Sequence, residues 1–259
     1  MTLRLGSKNE DVKRIQLYLG LTADGNFGPK TEAAVKQWQA AHGLVADGIV
    51  GVKTWVKMFG EEETGESELN IIKAPINVHI TRSPGRPITY LVIHYTAGSR
   101  STKGKAMAAR NVFISRPASA DYCVDDETIV QVNPDLRNYY CWAVGDGKGK
   151  RGMTNKNCIS IEMCSSLDKD TNGDVPNHSG WHVSDAVIEK TVKLAKYLMG
   201  KYNITLDRVV RHYDASGKAC PGIIGWNDGP LYDPVTGKVT GKRNNSSEWE
   251  KFKSLLQTQ

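Results

Sequence analysis

The chain has 259 residues, which at about 150 per domain allows one or two domains. With 39% hydrophobic and 24% charged residues, and a mean hydropathy of −0.43, it is excluded from the disordered, collagen-like and fibrous classes. Thirty-four Lys and Arg against 28 Asp and Glu leave a net charge of +6 and a pI near 9.0, which favours a polyanionic partner such as nucleic acid, anionic lipid or an acidic wall without choosing among them.

The opening Met-Thr-Leu-Arg-Leu-Gly-Ser-Lys has no apolar signal-peptide core, and no run reaches the ~18 apolar residues of a membrane span. The expectation is a chain without membrane insertion, made and kept in the cytoplasm unless a leader has been lost. Val12, Ile15, Leu17, Tyr18 and Leu19 predict a first helix, Ala34, Val35, Trp38 and Ala41 within Glu32–His42 a second, and Thr54–Met58 a short third. Between them a motif repeats. Leu-Thr-Ala-Asp-Gly-Asn-Phe-Gly-Pro-Lys-Thr starts at Leu21, and Leu-Val-Ala-Asp-Gly-Ile-Val-Gly-Val-Lys-Thr starts at Leu44. Asp-Gly suits tight turns, since Gly tolerates positive φ and Asp bonds nearby amides. Turn closure accounts for the glycines but not for the repeated Lys-Thr. With both copies of Asp-Gly-x-x-Gly-x-x-Thr flanking a Trp-bearing helix, residues 5–59 resemble the three-helix peptidoglycan-binding module fused to many cell-wall hydrolases. The resemblance implies anchoring to the wall for a small all-α domain over residues 1–59.

Residues 60–72 are acidic, with Gly and Ser and little to bury, and read as a linker. The second domain, 73–259, opens with the dense β-type run Ile88–Tyr95, a buried strand. A helix follows over Ala106–Ile114, then strands at Tyr122–Val124 and Thr128–Val132 joined by the Asp125-Asp126-Glu127 turn, and another at Cys158–Cys164. Ser184 caps a long amphipathic helix to Tyr202, and Leu206–Val210 leads into Arg211-His212. Strands interleaved with helices predict an α/β domain, a central mixed β-sheet flanked by helices.

His94 ends the first strand. His212 lies in Arg-His-Tyr-Asp-Ala-Ser-Gly-Lys-Ala-Cys-Pro, eight residues before Cys220 and six before Lys218. Thiolate and imidazole are preferred Zn²⁺ donors, and three protein ligands leave a position for water. A lone His at a strand end is more often hydrogen-bonded than ligating, and His-x₇-Cys is no zinc-finger spacing; no Cys-x₂-Cys occurs. In combination they say more. Val-Ile-His94-Tyr-Thr-Ala-Gly, Ile-Ser-Ile-Glu162-Met-Cys and the His212/Lys218/Cys220 segment, in this order over roughly 85–225, resemble the zinc-dependent N-acetylmuramoyl-L-alanine amidases of phage endolysins, bacterial autolysins and peptidoglycan recognition proteins. The resemblance implies Zn²⁺ held by His94, His212 and Cys220, Lys218 stabilising the oxyanion, and Glu162 as general base. Without the His/Cys pair, Glu162 would read as an edge-strand surface charge. On its strand it alternates with Ile159, Ile161 and Met163, beside the small Ser160 and Cys164, where a raised pKa is expected.

Two departures stand out. Ser119-Ala-Asp-Tyr122 occurs where many members carry Ser-Ala-His-Tyr, and Tyr122 receives no role. Cys141-Trp142-Ala143 replaces the usual Trp-His-Ala; Trp142 reads as a substrate platform or a partly buried core ring, and Tyr95 as a second substrate contact. Asp168-Lys-Asp-Thr-Asn-Gly-Asp174 imitates half an EF-hand loop, but position twelve is Ser179, so it reads as a polar loop; His178 and His182 read as solvated histidines. Arg211 is open between a substrate carboxylate and a structural ion pair.

The expectation is a monomeric peptidoglycan hydrolase, an N-acetylmuramoyl-L-alanine amidase of the endolysin type. It would be held in the host cytoplasm until released to the wall. The alternatives are a cytoplasmic muropeptide-recycling amidase and a non-catalytic recognition protein. Nucleic-acid binding rests on charge alone, with no motif to support it, and is not expected. Cys123, Cys141, Cys158 and Cys164 have no assigned task.

Overall fold

The computed structural model describes residues 2–59, 69–97, 105–145, 152–168, 180–233 and 235–257. The chain divides into two compact units, residues 1–68 and 69–259. Most of the expected linker and residues 169–179, which include most of the EF-hand-like loop and His178, lie outside the described residues. No described helix is long and apolar enough to cross a membrane.

The first unit contains α1 (Glu10–Tyr18), α2 (Pro29–Ala41) and α3 (Val52–Phe59). Asn9 caps α1 by accepting a hydrogen bond from the Val12 amide. The second helix starts three residues before the expected Glu32, because Pro29 at its first position has φ preset and no amide to satisfy. Val12, Ile15, Phe27, Val35, Val50, Trp55 and Met58 form the core. Each Asp-Gly loop wraps around a buried glutamine. Gln16 Nε2 donates to Asp24 Oδ1 (2.7 Å), the Asn26 carbonyl (2.9 Å) and Thr31 Oγ1 (3.1 Å), while its Oε1 accepts from the Gly25 amide. Twenty-three positions on, Gln39 does the same with Asp47, Ile49, Thr54 and Gly48. Gly48 sits at φ +75°, and a Cβ there would stand 2.7 Å from Glu32 Cγ, so the turn requires glycine.

In the second unit a six-stranded mixed sheet runs in the order β1 (Ile71–Lys73), β5 (Ile129–Gln131), β4 (Tyr122–Val124), β7 (Cys158–Met163), β3 (Tyr90–Tyr95), β10 (Val209–Arg211). Strand β3 is parallel to both β7 and β10, and β7 is parallel to β4. The β4–β5 pair is antiparallel. Further pairs join β2 (Ile80–Arg82) to β6 (Tyr139–Cys141), β8 (Ser166–Leu167) to β9 (Trp181–His182) and β11 (Gly229–Tyr232) to β12 (Val239–Arg243).

Alternation on the central strands sorts the faces. Leu91, Ile93, Tyr95, Ile159, Ile161, Met163 and Val209 pack against Val187, Leu194, Ala195 and Leu198 of α5 (Asp185–Tyr202), which Ser184 caps as expected. Truncating one such buried Leu costs about 2–5 kcal/mol. The opposite face buries Val92, Cys158 and Val210 against Ala215 of α6 (His212–Ser216), and Cys123, Val130 and Cys164 against Ala106 of α4 (Ala106–Ser115). A last helix, α7 (Ser247–Leu255), buries Trp249 and Phe252 in the first cluster. All five cysteines are free and buried. Burial pushes the Cys123 and Cys141 thiols well up and that of Cys158 to about 12, so they behave as small core residues.

Candidate metal centre

The site lies at the carboxyl ends of parallel strands. His94 is the penultimate residue of β3, opposite Glu162 of β7 in register, and Arg211 at the end of β10 pairs with Ile93. His212, the next residue, therefore arrives beside His94. Alternation puts His94, Glu162 and His212 on the face of Val92, Ser160 and Val210, away from α5. The short helix α6 begins at His212 and ends at Gly217, whose φ of +80° turns the chain back. Cys220 then returns to the start of the helix, its carbonyl accepting from the Tyr213 amide at 2.9 Å. That reversal is what an eight-residue His–Cys separation encodes.

The three donors converge. His94 Nδ1 is 3.1 Å from His212 Nδ1 and 3.8 Å from Cys220 Sγ, and all three residues are buried. They form the one group of metal-ligating side chains found among the described residues, with ligand atoms within 4.8 Å of one another. Donors around a tetrahedral ion with bonds of about 2.0–2.3 Å stand roughly 3.3–3.6 Å apart, so the cluster is close to the size such an ion needs.

Electrostatics agree with that reading. Burial, then His212 and then Lys218, hold His94 well below the usual imidazole value. Burial and Lys218 lower His212 to about 4. Both rings are therefore neutral at pH 7, with lone pairs to offer. Burial and Glu162 push the Cys220 thiol up, against a backbone hydrogen bond from Tyr95 and the charge of Lys218. A buried thiolate needs a cation, which a metal ion would supply.

Glu162 is half-buried, and its Oε2 is sealed from solvent without a hydrogen-bond partner. Desolvation raises it to about 8, opposed by Lys218 and Arg116. Strand β7 is interior, between β4 and β3, so Glu162 is not an edge-strand surface charge. Lys218 is exposed, and its charge is felt at Glu162 and at both histidines.

The Tyr95 ring, expected to touch substrate, is 8% exposed and packs edge-on to Trp181 at 5.8 Å, because Tyr95 alternates with His94 and faces the α5 side. Its backbone, not its ring, reaches the site. Trp142 is 40% exposed, held by an Nε1–H bond to Thr81 Oγ1 (2.9 Å) and a tilted contact with His79. Tyr122 is buried on the α5 face, opposite Ile161 in register and turned away from Glu162. Asp121, at the unusual position, is a buried hub beside Arg86 (3.5 Å) that accepts from the Ser160 amide and Asn133 Nδ2. Arg211 is structural: it grips Asp214 with two nitrogens and also donates to the Trp226 carbonyl. His182 is an exposed side chain 3.5 Å from Asp168. Arg116 was not singled out in the sequence; it closes α4 just before Ser119-Ala-Asp-Tyr122, and only the fold brings its charge to Glu162.

Two imidazoles and a thiol beside a half-buried carboxylate and a lysine, at the carboxyl ends of parallel strands, are the equipment of a metal-dependent hydrolase. The family model for N-acetylmuramoyl-L-alanine amidase matches residues 84–223, more than half of the 259, and the chain belongs to that family. A model for a peptidoglycan binding domain matches residues 8–58. The N-acetylmuramoyl-L-alanine amidase XlyA of Bacillus subtilis (strain 168) is 34% identical over 158 residues, 59% of this chain and 46% of XlyA. The amidase CwlH of the same organism is 33% identical over 135 residues, 51% of this chain and 46% of CwlH. The zinc D-Ala-D-Ala carboxypeptidase of Streptomyces albus G is 39% identical over 84 residues, 29% of this chain and 33% of that protein. The chain thus spans less than half the length of these relatives. A solved structure of a PlyL mutant shares the fold, with a TM-score of 0.50 and 21% identity over 73% of this chain and 99% of that one.

Proposed function

We propose that the chain is a monomeric, zinc-dependent peptidoglycan hydrolase of the endolysin kind. It would cleave the amide between the lactyl group of N-acetylmuramic acid and the L-alanine of the stem peptide. Residues 1–59 would be the wall anchor, and the catalytic domain would run from residue 69, where the second unit starts ahead of β1, to 259, which takes in the end of the expected 60–72 linker. The supporting observation is the convergence of His94, His212 and Cys220 beside Glu162. These three residues would hold Zn²⁺, which when bound polarises a water, lowers its pKa to about 7 and shares the oxyanion charge. Glu162 takes the proton from the attacking water and returns it to the leaving amine, a task suited to a carboxylate with raised proton affinity. Lys218 puts a positive charge beside the carbonyl oxygen as it becomes an oxyanion. Trp142 offers an exposed ring to the substrate. In this reading the protein stays in the host cytoplasm until a membrane lesion admits it to the wall.

Mass spectrometry of digested peptidoglycan tests the bond: peptides beginning with L-alanine and peptide-free glycan are expected, whereas new reducing sugar ends would overturn the assignment. Cys220→Ser should lose its metal by elemental analysis and at least about a hundredfold of lytic activity; full metal and full activity would overturn the donor set.

A further inference from the structure

Arg243, the last residue of β12, is a buried cation that no neighbour answers. It is 5% exposed, and its Nε, Nη1 and Nη2 are all sealed from solvent without a hydrogen-bond partner among the described residues. Arg86, equally buried, instead donates to four backbone carbonyls and stands 3.5 Å from Asp121. A guanidinium stays charged at any physiological pH, and burying one without a partner is costly. Burial lowers the proton affinity of Arg243, opposed by Tyr95 and Asp228, yet Asp228 makes no hydrogen bond to it.

The segment that carries Arg243 is tied to neighbours of all three metal-ligating side chains. Tyr95 follows His94. Arg211 precedes His212 and donates to the Trp226 carbonyl (2.6 Å) and to Ser246 Oγ (3.2 Å). The chain leaving Cys220 runs through Gly225, whose carbonyl accepts from the Glu248 and Trp249 amides, to Gly229, which pairs with Arg243 itself. The β11–β12 ribbon is paired only with itself, outside the six-stranded sheet. An isolated two-stranded ribbon is marginally stable, so it is the side of this site that can open. The family model ends at residue 223, and Arg243 lies beyond it.

We propose that Arg243, beneath the β11–β12 ribbon, binds the stem-peptide carboxylate nearest the cleaved amide. This rests on the amidase reading and names a part of the substrate that the same site recognises. An unanswered guanidinium calls for a planar anion that can take two parallel N–H bonds, which a carboxylate does. In the substrate the lactyl carboxyl is tied up in the amide to be cleaved, so the free carboxylates lie on the peptide. A site built around a buried charge also rejects the neutral isostere, because binding it leaves the charge unpaired.

Two measurements on the full chain test this. The first needs no activity. Arg243→Met replaces an unpaired buried cation with an apolar side chain, so it should raise the unfolding temperature of the second unit by several degrees. An unchanged or lower temperature would mean that the chain already answers Arg243, and would overturn the site. The second compares two soluble muropeptides, with the α-carboxylate of the second stem residue free or amidated. The metal-loaded parent should show a kcat/KM at least about tenfold higher on the acid. Arg243→Met should bring that ratio near one, mainly by loss on the acid, and Arg243→Lys should keep part of it. A parent without the preference, or a preference that survives Arg243→Met, would overturn the assignment. So would inorganic phosphate raising the parent's unfolding temperature as much as the released acidic peptide does, since the site would then be a general anion site. A parent that cleaves neither muropeptide nor sacculi at this bond overturns the amidase reading itself, while the melts still decide whether Arg243 lacks a partner.

Discussion

At the scale of single residues, Glu162 carries two opposed demands. In the proposed reaction its carboxylate must be ionised to take a proton, yet burial raises it from the usual 4.5 to about 8. Between those values the metal-free folded chain keeps a proton that the unfolded chain releases. Stability from this group is therefore present at low pH and lost as pH rises through 8. Glu162→Gln has no such slope. Chelator-treated Glu162→Gln should be more stable than the parent at pH 8.5, by on the order of 2 kcal/mol in denaturant melts, with the difference shrinking toward pH 5. His212, lowered to about 4, has the opposite slope between 6.5 and 4, and it cancels in the comparison. The same variant should keep its metal and lose about 10²–10⁴-fold of hydrolytic rate. His94, Cys220 and Lys218 were legible because each sits in a motif. Arg116 was not, since a charge closing α4 carries no local signal, and the inward turn of the Tyr95 ring follows from which face of β3 meets α5.

Among the elements, the N-terminal helices are held by two glutamines that no motif search would select. Gln39 Nε2 shares its two N–H groups among Asp47, the Ile49 carbonyl and Thr54, and its Oε1 accepts from Gly48, which ties the second loop to α3. Removing it leaves buried partners unsatisfied, so Gln39→Ala should cost about 2–4 kcal/mol, read as a lower unfolding temperature of the first unit in calorimetry of the full chain. Hydrolysis of a small soluble muropeptide should be unaffected. The repeated Thr thus has a structural account that turn chemistry alone did not provide: Thr31 and Thr54 are the far ends of the two locks. Helices α1 to α5 and strands β3, β4, β5 and β7 were legible from periodicity, whereas α7 and most of the short strands were not anticipated. The brief α6 was not, because five residues are too few to show a period; its closing Gly217 is nonetheless what returns Cys220 to His212.

On the scale of the whole molecule, an anchor joined to an enzyme raises the local concentration of an insoluble substrate without changing the chemistry. A chain lacking residues 1–59 should lose roughly tenfold to a hundredfold of its rate on sacculi at low enzyme concentration while hydrolysing a soluble muropeptide at the parent rate; equal losses on both would argue against anchoring. By itself the sequence determined two units, the helical and α/β character of each, and a set of donors with the right chemistry, because periodicity, turn residues and ligand types are local properties. It could not decide where β7 sits in the sheet, which face of β3 His94 shares with Glu162, or that an aspartate at position 121 would become a buried hub with Arg86. Those depend on strand order and register, and only tertiary packing brings residues 94, 162, 212 and 220 within reach of one ion and one carboxylate.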